Sequence, residues 1–299
     1  MSVNSFNSSD SSLPVSSCFE YTANIFIVMA FVLTNILLFF PLFLLIFYLG
    51  LKQWGKRCTT STATKASHAD FFTYNVIILE LISILGFSLY SFGAYAGDKT
   101  VELVGVSMCS ITSPGQTLFH LLTCVERYLA VVHPITYQSL RRMEWVKIRN
   151  ASSGCIWLFC AGFIGFSILV SSFGSITNSC ILVFALIVVS SCSFSVLNVL
   201  NHPGPGDASR HRGRVDPSKQ RAFYTIMAIM VALLLRFVGV LLTNCMNASP
   251  VLTHTKCVIG TSAIWFTAPC SLVLPLLFLQ RAGKLPSCKH KNTKFNHKK

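Results

Sequence analysis

The sequence predicts an all-α membrane protein, a bundle of seven transmembrane helices with its N-terminus outside. Three observations carry that prediction. Of 299 residues, 53% are hydrophobic and 11% charged, where a soluble domain carries roughly 25% charged residues; the mean hydropathy is +0.61. Apolar runs of the length a bilayer demands, about 20 residues, recur along the chain. Lysine and arginine collect on alternate connections between those runs, as they do where loops stay in the cytoplasm.

The segment 1–24 is rich in Ser and Asn and reads as a disordered outer segment. Met1 to Thr22 holds no Lys or Arg, so it lacks the basic start of a signal peptide, and the first apolar run is kept as a membrane helix. The runs fall at about 25–51, 71–95, 102–131, 149–172, 180–200, 222–245 and 257–280, giving a membrane domain over 25–280. Pro41, Pro114 and Pro275 interrupt them, which membrane helices tolerate. The connection after the first run carries Lys52, Lys56, Arg57 and Lys65, and the one after the third carries Arg141, Arg142, Lys147 and Arg149. After the fifth come Arg210, Arg212, Arg214, Lys219 and Arg221, in the Pro- and Gly-rich stretch "NHPGPGDASRHRGRVDPSK", a flexible loop by composition. The tail 281–299 is basic, and the opposite side has Lys99 and Lys256. The formal net charge of +14 is thus a cytoplasmic-face charge directed at anionic lipid in the bilayer, and nucleic acid is not needed to explain it.

Asn7-Ser8-Ser9 and Asn247-Ala248-Ser249 are glycosylation sequons on the expected outer side. Cys245 and Cys257 bracket the third outer loop, where a disulfide could clip it. Cys288 lies among basic residues past the last run, a position compatible with palmitoylation or with a free thiol. No nucleophile–base or metal-ligand constellation marks an enzyme, and no cofactor motif occurs.

The polar residues inside the apolar runs are the chemistry left to explain. At the inner end of the third run, Glu126 and Arg127 stand side by side before Tyr128. A carboxylate beside the guanidinium partly neutralises it; both could equally snorkel to water. Glu80, Arg236 and His120 lie deep in their runs. By helical rise Arg236 is about 21 Å and Glu80 about 13 Å from the inner face. Each costs about 2.5–3.5 kcal/mol or more in lipid without a partner, so a Glu80–Arg236 ion pair is the favoured reading. The alternatives are backbone carbonyls and water for Arg236, or an acidic ligand reaching it from outside. His120 lies seven residues before Arg127 on the same helix face and reads as hydrogen-bonded to a neighbour.

Glu126-Arg127-Tyr128, with Pro134 at its spacing and Ala130-Val131 between, resembles the end of helix three in rhodopsin-like (class A) G-protein-coupled receptors, orphan receptor-like chains of fish among them. Trp157 stands where that family places a tryptophan, Asn75 and Glu80 resemble its Asn and acidic pair in helix two, and Leu274-Pro275-Leu276-Leu277-Phe278 resembles its Asn-Pro-x-x-Tyr. The resemblance implies a receptor at the plasma membrane that passes an extracellular ligand's signal to a heterotrimeric G protein. It assigns Glu126, Arg127, Tyr128 and Pro134 to coupling, Asn75, Glu80 and Arg236 to an intramembrane polar centre, and Pro275 and Phe278 to a helix-seven switch.

The departures are specific. The family's cysteine atop helix three would fall near Glu102, and Cys109 lies about 10 Å deeper. The fifth run has no proline, the sixth reads "VALLLRFVGV", and its inner end "SKQRAF" has no acid to face Arg127. No Asp in the third run offers an amine anchor. A receptor-fold protein that does not signal is therefore one competitor. A small transporter relaying ions through Glu80, Arg236 and His120 is another.

Overall fold

A computed structural model describes residues 22–59, 68–135, 137, 144–169, 171–201, 217–249 and 253–281. Among these residues every element is helical and none is a strand. The first stretch is α1 (Thr22–Thr34), a π-helical turn (Asn35–Phe39) and α2 (Phe40–Thr59). Pro41 explains the turn. It has no N–H for the carbonyl four residues back, and its ring crowds that carbonyl. The helix widens by one residue just before it, so that the Phe40 N–H reaches Asn35 O, a π-bulge.

The chain then forms α3 (His68–Ala96), α4 (Lys99–Val132), α5 (Glu144–Leu169), α6 (Ser171–Asn201) and α7 (Pro217–Ala248). The last stretch is α8 (Thr253–Ser262), a 3-10 turn (Ala263–Thr267) and α9 (Ala268–Arg281). Pro275 sits inside α9.

Among the described residues, five stretches are long and apolar enough to cross a membrane: Thr22–Lys52, Phe71–Ala96, Ile176–Val199, Gln220–Met246 and His254–Gln280. The third and fourth predicted spans form α4 and α5 but fall outside that set. The physical reason for α4 is its place in the bundle, where it packs against α3, α5, α6 and α7. A helix wrapped by protein need not be apolar all round, since its polar side chains meet other helices instead of lipid.

The outward faces suit lipid. Leu158 of α5 is 76% exposed and Phe194 of α6 73%, with many aliphatic side chains of the other helices also exposed; such a surface suits a membrane environment. The observed architecture is that of a multi-pass membrane protein.

One hairpin governs how the polar residues meet. Only Gly97 and Asp98 separate α3 from α4. Gly97 takes φ +72°, a left-handed conformation that glycine adopts without a steric penalty. Asp98 caps α4, its carboxylate accepting from the N–H groups of Thr100 at 2.9 Å and Val101 at 3.3 Å. Its own N–H reaches back to Gly93 O at 3.0 Å. Beyond the turn the two helices run in close backbone contact. A Cβ on Gly93 would strike the backbone of Glu102, and one on Gly105 the backbone of Tyr90. Small residues at such a seam let membrane helices approach.

Two apolar clusters fill the bundle. The larger joins α3–α7 and α9 around Val76, Phe119, Leu182, Ile226 and Leu274; the smaller joins the π-helical turn, α2, α3 and α9 around Phe39, Phe43, Ile77 and Phe278.

Candidate functional site: a buried polar relay and an arginine at the end of α4

Ser113, Gln116, His120 and Arg127 follow one another along α4 at spacings of three, four and seven residues, so they share one face. That face looks into the bundle. The structure gathers Glu80 (α3), Arg236 (α7) and Ser271 (α9) around it.

The Glu80–Arg236 ion pair expected from the sequence is not formed directly. Gln116 stands between them. Its Nε2 donates to Glu80 Oε1 at 2.6 Å, and its Oε1 accepts from Arg236 Nη1 at 2.7 Å. The other arm of the guanidinium, Nη2, donates to Ser113 Oγ at 2.7 Å, and the Ser113 hydroxyl donates to Asn178 Oδ1 of α6 at 2.7 Å. The directions at Gln116 are forced, because a guanidinium only donates and a carboxylate only accepts. The amide of Gln116 can therefore face one way only.

The relay runs from α3 through α4 to α7 and on to α6. Glu80 is 2% exposed, Gln116 4% and Arg236 5%, so the charges are desolvated and depend on these bonds. Ser271 lies beside the Glu80 carboxylate, and the Cys270 thiol beside Arg236. His120 Nε2 faces Cys270 O at 3.0 Å. A carbonyl can only accept, so the proton sits on Nε2. This is the hydrogen-bonded neighbour that the sequence reading gave His120.

Asn75 is placed elsewhere. Its Oδ1 accepts from Trp157 Nε1 at 2.9 Å and Ser153 Oγ at 3.2 Å, both on α5, while its Nδ2 caps back to Phe71 O at 2.9 Å. Five helical residues turn through about 140°, so Asn75 and Glu80 cannot share a face. Asn75 and Trp157 fasten α3 to α5, and the polar centre is instead Glu80, Gln116, Arg236, Ser113 and Asn178.

At the other end of α4, Glu126 and Arg127 do not form an ion pair. Tyr137 donates its hydroxyl to Glu126 Oε1 at 3.3 Å, and Arg149 of α5 lies within electrostatic reach of the same carboxylate. The Arg149 guanidinium stacks 4.2 Å from the centre of the Phe71 ring, a cation–π contact. Glu126 is thus taken up by the connection after α4 and by α5. Arg127 keeps its Nε and Nη2 buried with no hydrogen-bond acceptor. Tyr128 meets His133 edge to face at 5.9 Å, and Pro134 is exposed just past the end of α4.

In α9, Phe278 packs edge to face on Tyr74 of α3 at 5.8 Å, three residues after Pro275. Leu274 is 2% exposed within the larger apolar cluster.

The expected Cys245–Cys257 clip is not formed. Cys245 is an exposed free thiol, while Cys257 is disulfide-bonded. Cys109 and Cys180 are also free. Asn247 lies on the last turn of α7 rather than in a loop, and Ser249 of its sequon donates to Cys245 O at 2.6 Å. Asn7 and Cys288 lie outside the described residues.

No protein-family model matches the chain, and no curated protein matches it.

Gln116, Ser113 and Asn178 were missed by the sequence reading. A signal for two of them existed, the polar stripe Ser113–Gln116–His120 along α4; Asn178 gave none.

Proposed function

We propose that the chain is a plasma-membrane receptor of the rhodopsin-like type, with seven spans and its N-terminus outside, that passes an extracellular ligand's signal to a heterotrimeric G protein. One observation carries the reading. Arg127 ends the central helix with two buried guanidinium donors that meet no acceptor. Buried donors left empty are costly unless something fills them. A partner presenting backbone carbonyls or a carboxylate at that mouth would supply the acceptors. Pro134 and the Glu126–Tyr137 contact lie at the same end of α4, and the Lys and Arg asymmetry of the sequence supports a cytoplasmic position for it.

Signalling on this reading is a population shift between two packings of α7. The ligand binds the packing in which the Arg127 mouth is open. An amine finds no Asp on α4 to anchor it. Arg236, the cation an acidic ligand would seek, already bonds to Gln116 and Ser113.

The test is Arg127→Ala in the full-length chain, read by guanine-nucleotide exchange on a panel of G proteins and by surface expression. Exchange should fall to background while expression persists. Undiminished exchange in the variant would refute the role of Arg127. Exchange absent from the wild type across the whole panel would favour the non-signalling receptor fold, for which the buried Leu274 in α9 speaks.

A further inference from the structure

Polar ties between α4 and α7 concentrate on Arg236, which bonds Gln116 and Ser113 at 2.7 Å each. Among the described residues, the Arg127 end has no comparable polar tie. The first turn of α7 has no acidic residue, and Arg127 Nε and Nη2 have no acceptor. Arg236 is 16 residues from Gln220, about 24 Å along the helix. The polar hold on α7 is therefore at mid-helix, and below it α7 is kept against the bundle by apolar packing alone, of Ala222, Ile226 and Ile229.

Gln116 suits that hold in a way that other side chains would not. It faces a cation on one side and a carboxylate on the other. A two-headed neutral amide satisfies both. Leucine would strand the two charges, and glutamate would set two carboxylates together. Burial of all three groups raises the cost of any unmet end.

We infer that Gln116 is the positioning residue of the switch: it clamps Arg236 of α7 against α4, hands the charge on to Glu80, and so favours the closed packing. Loss of the clamp lets the Arg127 end of α7 swing away. Ser113 and Asn178 form the second, weaker strap. The inference rests on the receptor reading for its biological meaning, and on the relay alone for its mechanics.

The experiment follows helix movement without a G protein. Spin-label amino acids are encoded at Gln220 and Lys147, both exposed near that end, in the full-length chain in phosphatidylcholine–phosphatidylserine nanodiscs. Pulsed dipolar spectroscopy then gives the populations of short and long distances. Gln116→Leu should raise the long-to-short ratio about 10-fold or more, as loss of a charge-assisted bond does to an equilibrium. Ser113→Ala should shift it the same way by less. Unchanged populations in both variants, or a shift toward the short distance, overturn the inference. Should Gln116→Leu not fold, Ser113→Ala decides alone, and an unchanged ratio there is enough to overturn it. Nucleotide exchange is measured in parallel. Distances that shift while exchange stays at background leave the clamp standing and sink the receptor reading instead.

Discussion

Removing Arg236 and Glu80 singly and together measures what the relay contributes to the folded state. Arg236→Met strands Glu80 without its cation and leaves Gln116 Oε1 without a donor. Ser113 loses one bond but keeps Asn178. Glu80→Leu does the reverse, stranding Arg236 and leaving Gln116 Nε2 unmet. Neutral hydrogen bonds between membrane helices average about 0.6 kcal/mol, with a maximum of about 1.7 kcal/mol, so the neutral bonds are the minor part. A stranded buried ion dominates, at about 3–5 kcal/mol. Each single variant should therefore lose about 3–5 kcal/mol. The double variant strands no ion. Its cost is the unmet amide and the lost packing, about 1–3 kcal/mol. The coupling energy should be at least about 3 kcal/mol, although the two charges do not touch. The assay is reversible unfolding of the full-length chain in bicelles, followed by steric trapping or by thermal shift, for all four members of the cycle. Additivity within about 0.5 kcal/mol, the range for independent sites, would show that Gln116 transmits nothing between the charges.

Three other outcomes follow from the same structure. Gln220→Glu places an acid on the first turn of α7, at the end of the bundle where Arg127 has empty donors, and should lower ligand-free nucleotide exchange severalfold; an unchanged basal rate counts against a missing polar tie at the Arg127 end. Cys257→Ser removes a disulfide, typically about 2–4 kcal/mol, and should lower the thermal midpoint, whereas Cys245→Ser, a free exposed thiol, should not; equal effects would mean that the pairing is misassigned. Gly105→Val drives a side chain into the backbone at Tyr90, which cannot yield as a flexible side chain would, and should cost about 1–3 kcal/mol or more; Gly154→Ala, with open space around its Cβ, should stay within about 0.5 kcal/mol, and comparable losses at both would show that the α3–α4 seam is not tight.

The helices were legible because apolar length is a one-dimensional signal. It depends on lipid contact, and so it faded where lipid contact fades, at α4, whose neighbours are four other helices. The same burial explains which site residues stood out. Glu80 and Arg236 carry charge in apolar runs, and charge in lipid demands a partner wherever the helix lies. Gln116 and Ser113 are neutral and cheap to place by hydropathy, so nothing in their local sequence announced that they stand between the charges. Their spacing along α4 did contain the information, as a polar stripe on one face. Asn75 shows the converse: its nearness to Glu80 in sequence suggested one centre, while the turn of the helix sends it to Trp157. Asn178 was illegible in principle, because its bond to Ser113 joins positions 65 residues apart and depends on how α6 packs against α4. What the sequence states about a buried relay is thus its two ends, since only the ends are costly alone. The middle is chosen by whichever helix lies between them, and here that helix is α4, which also presents Arg127. The clamp and the open arginine are two levels of one face.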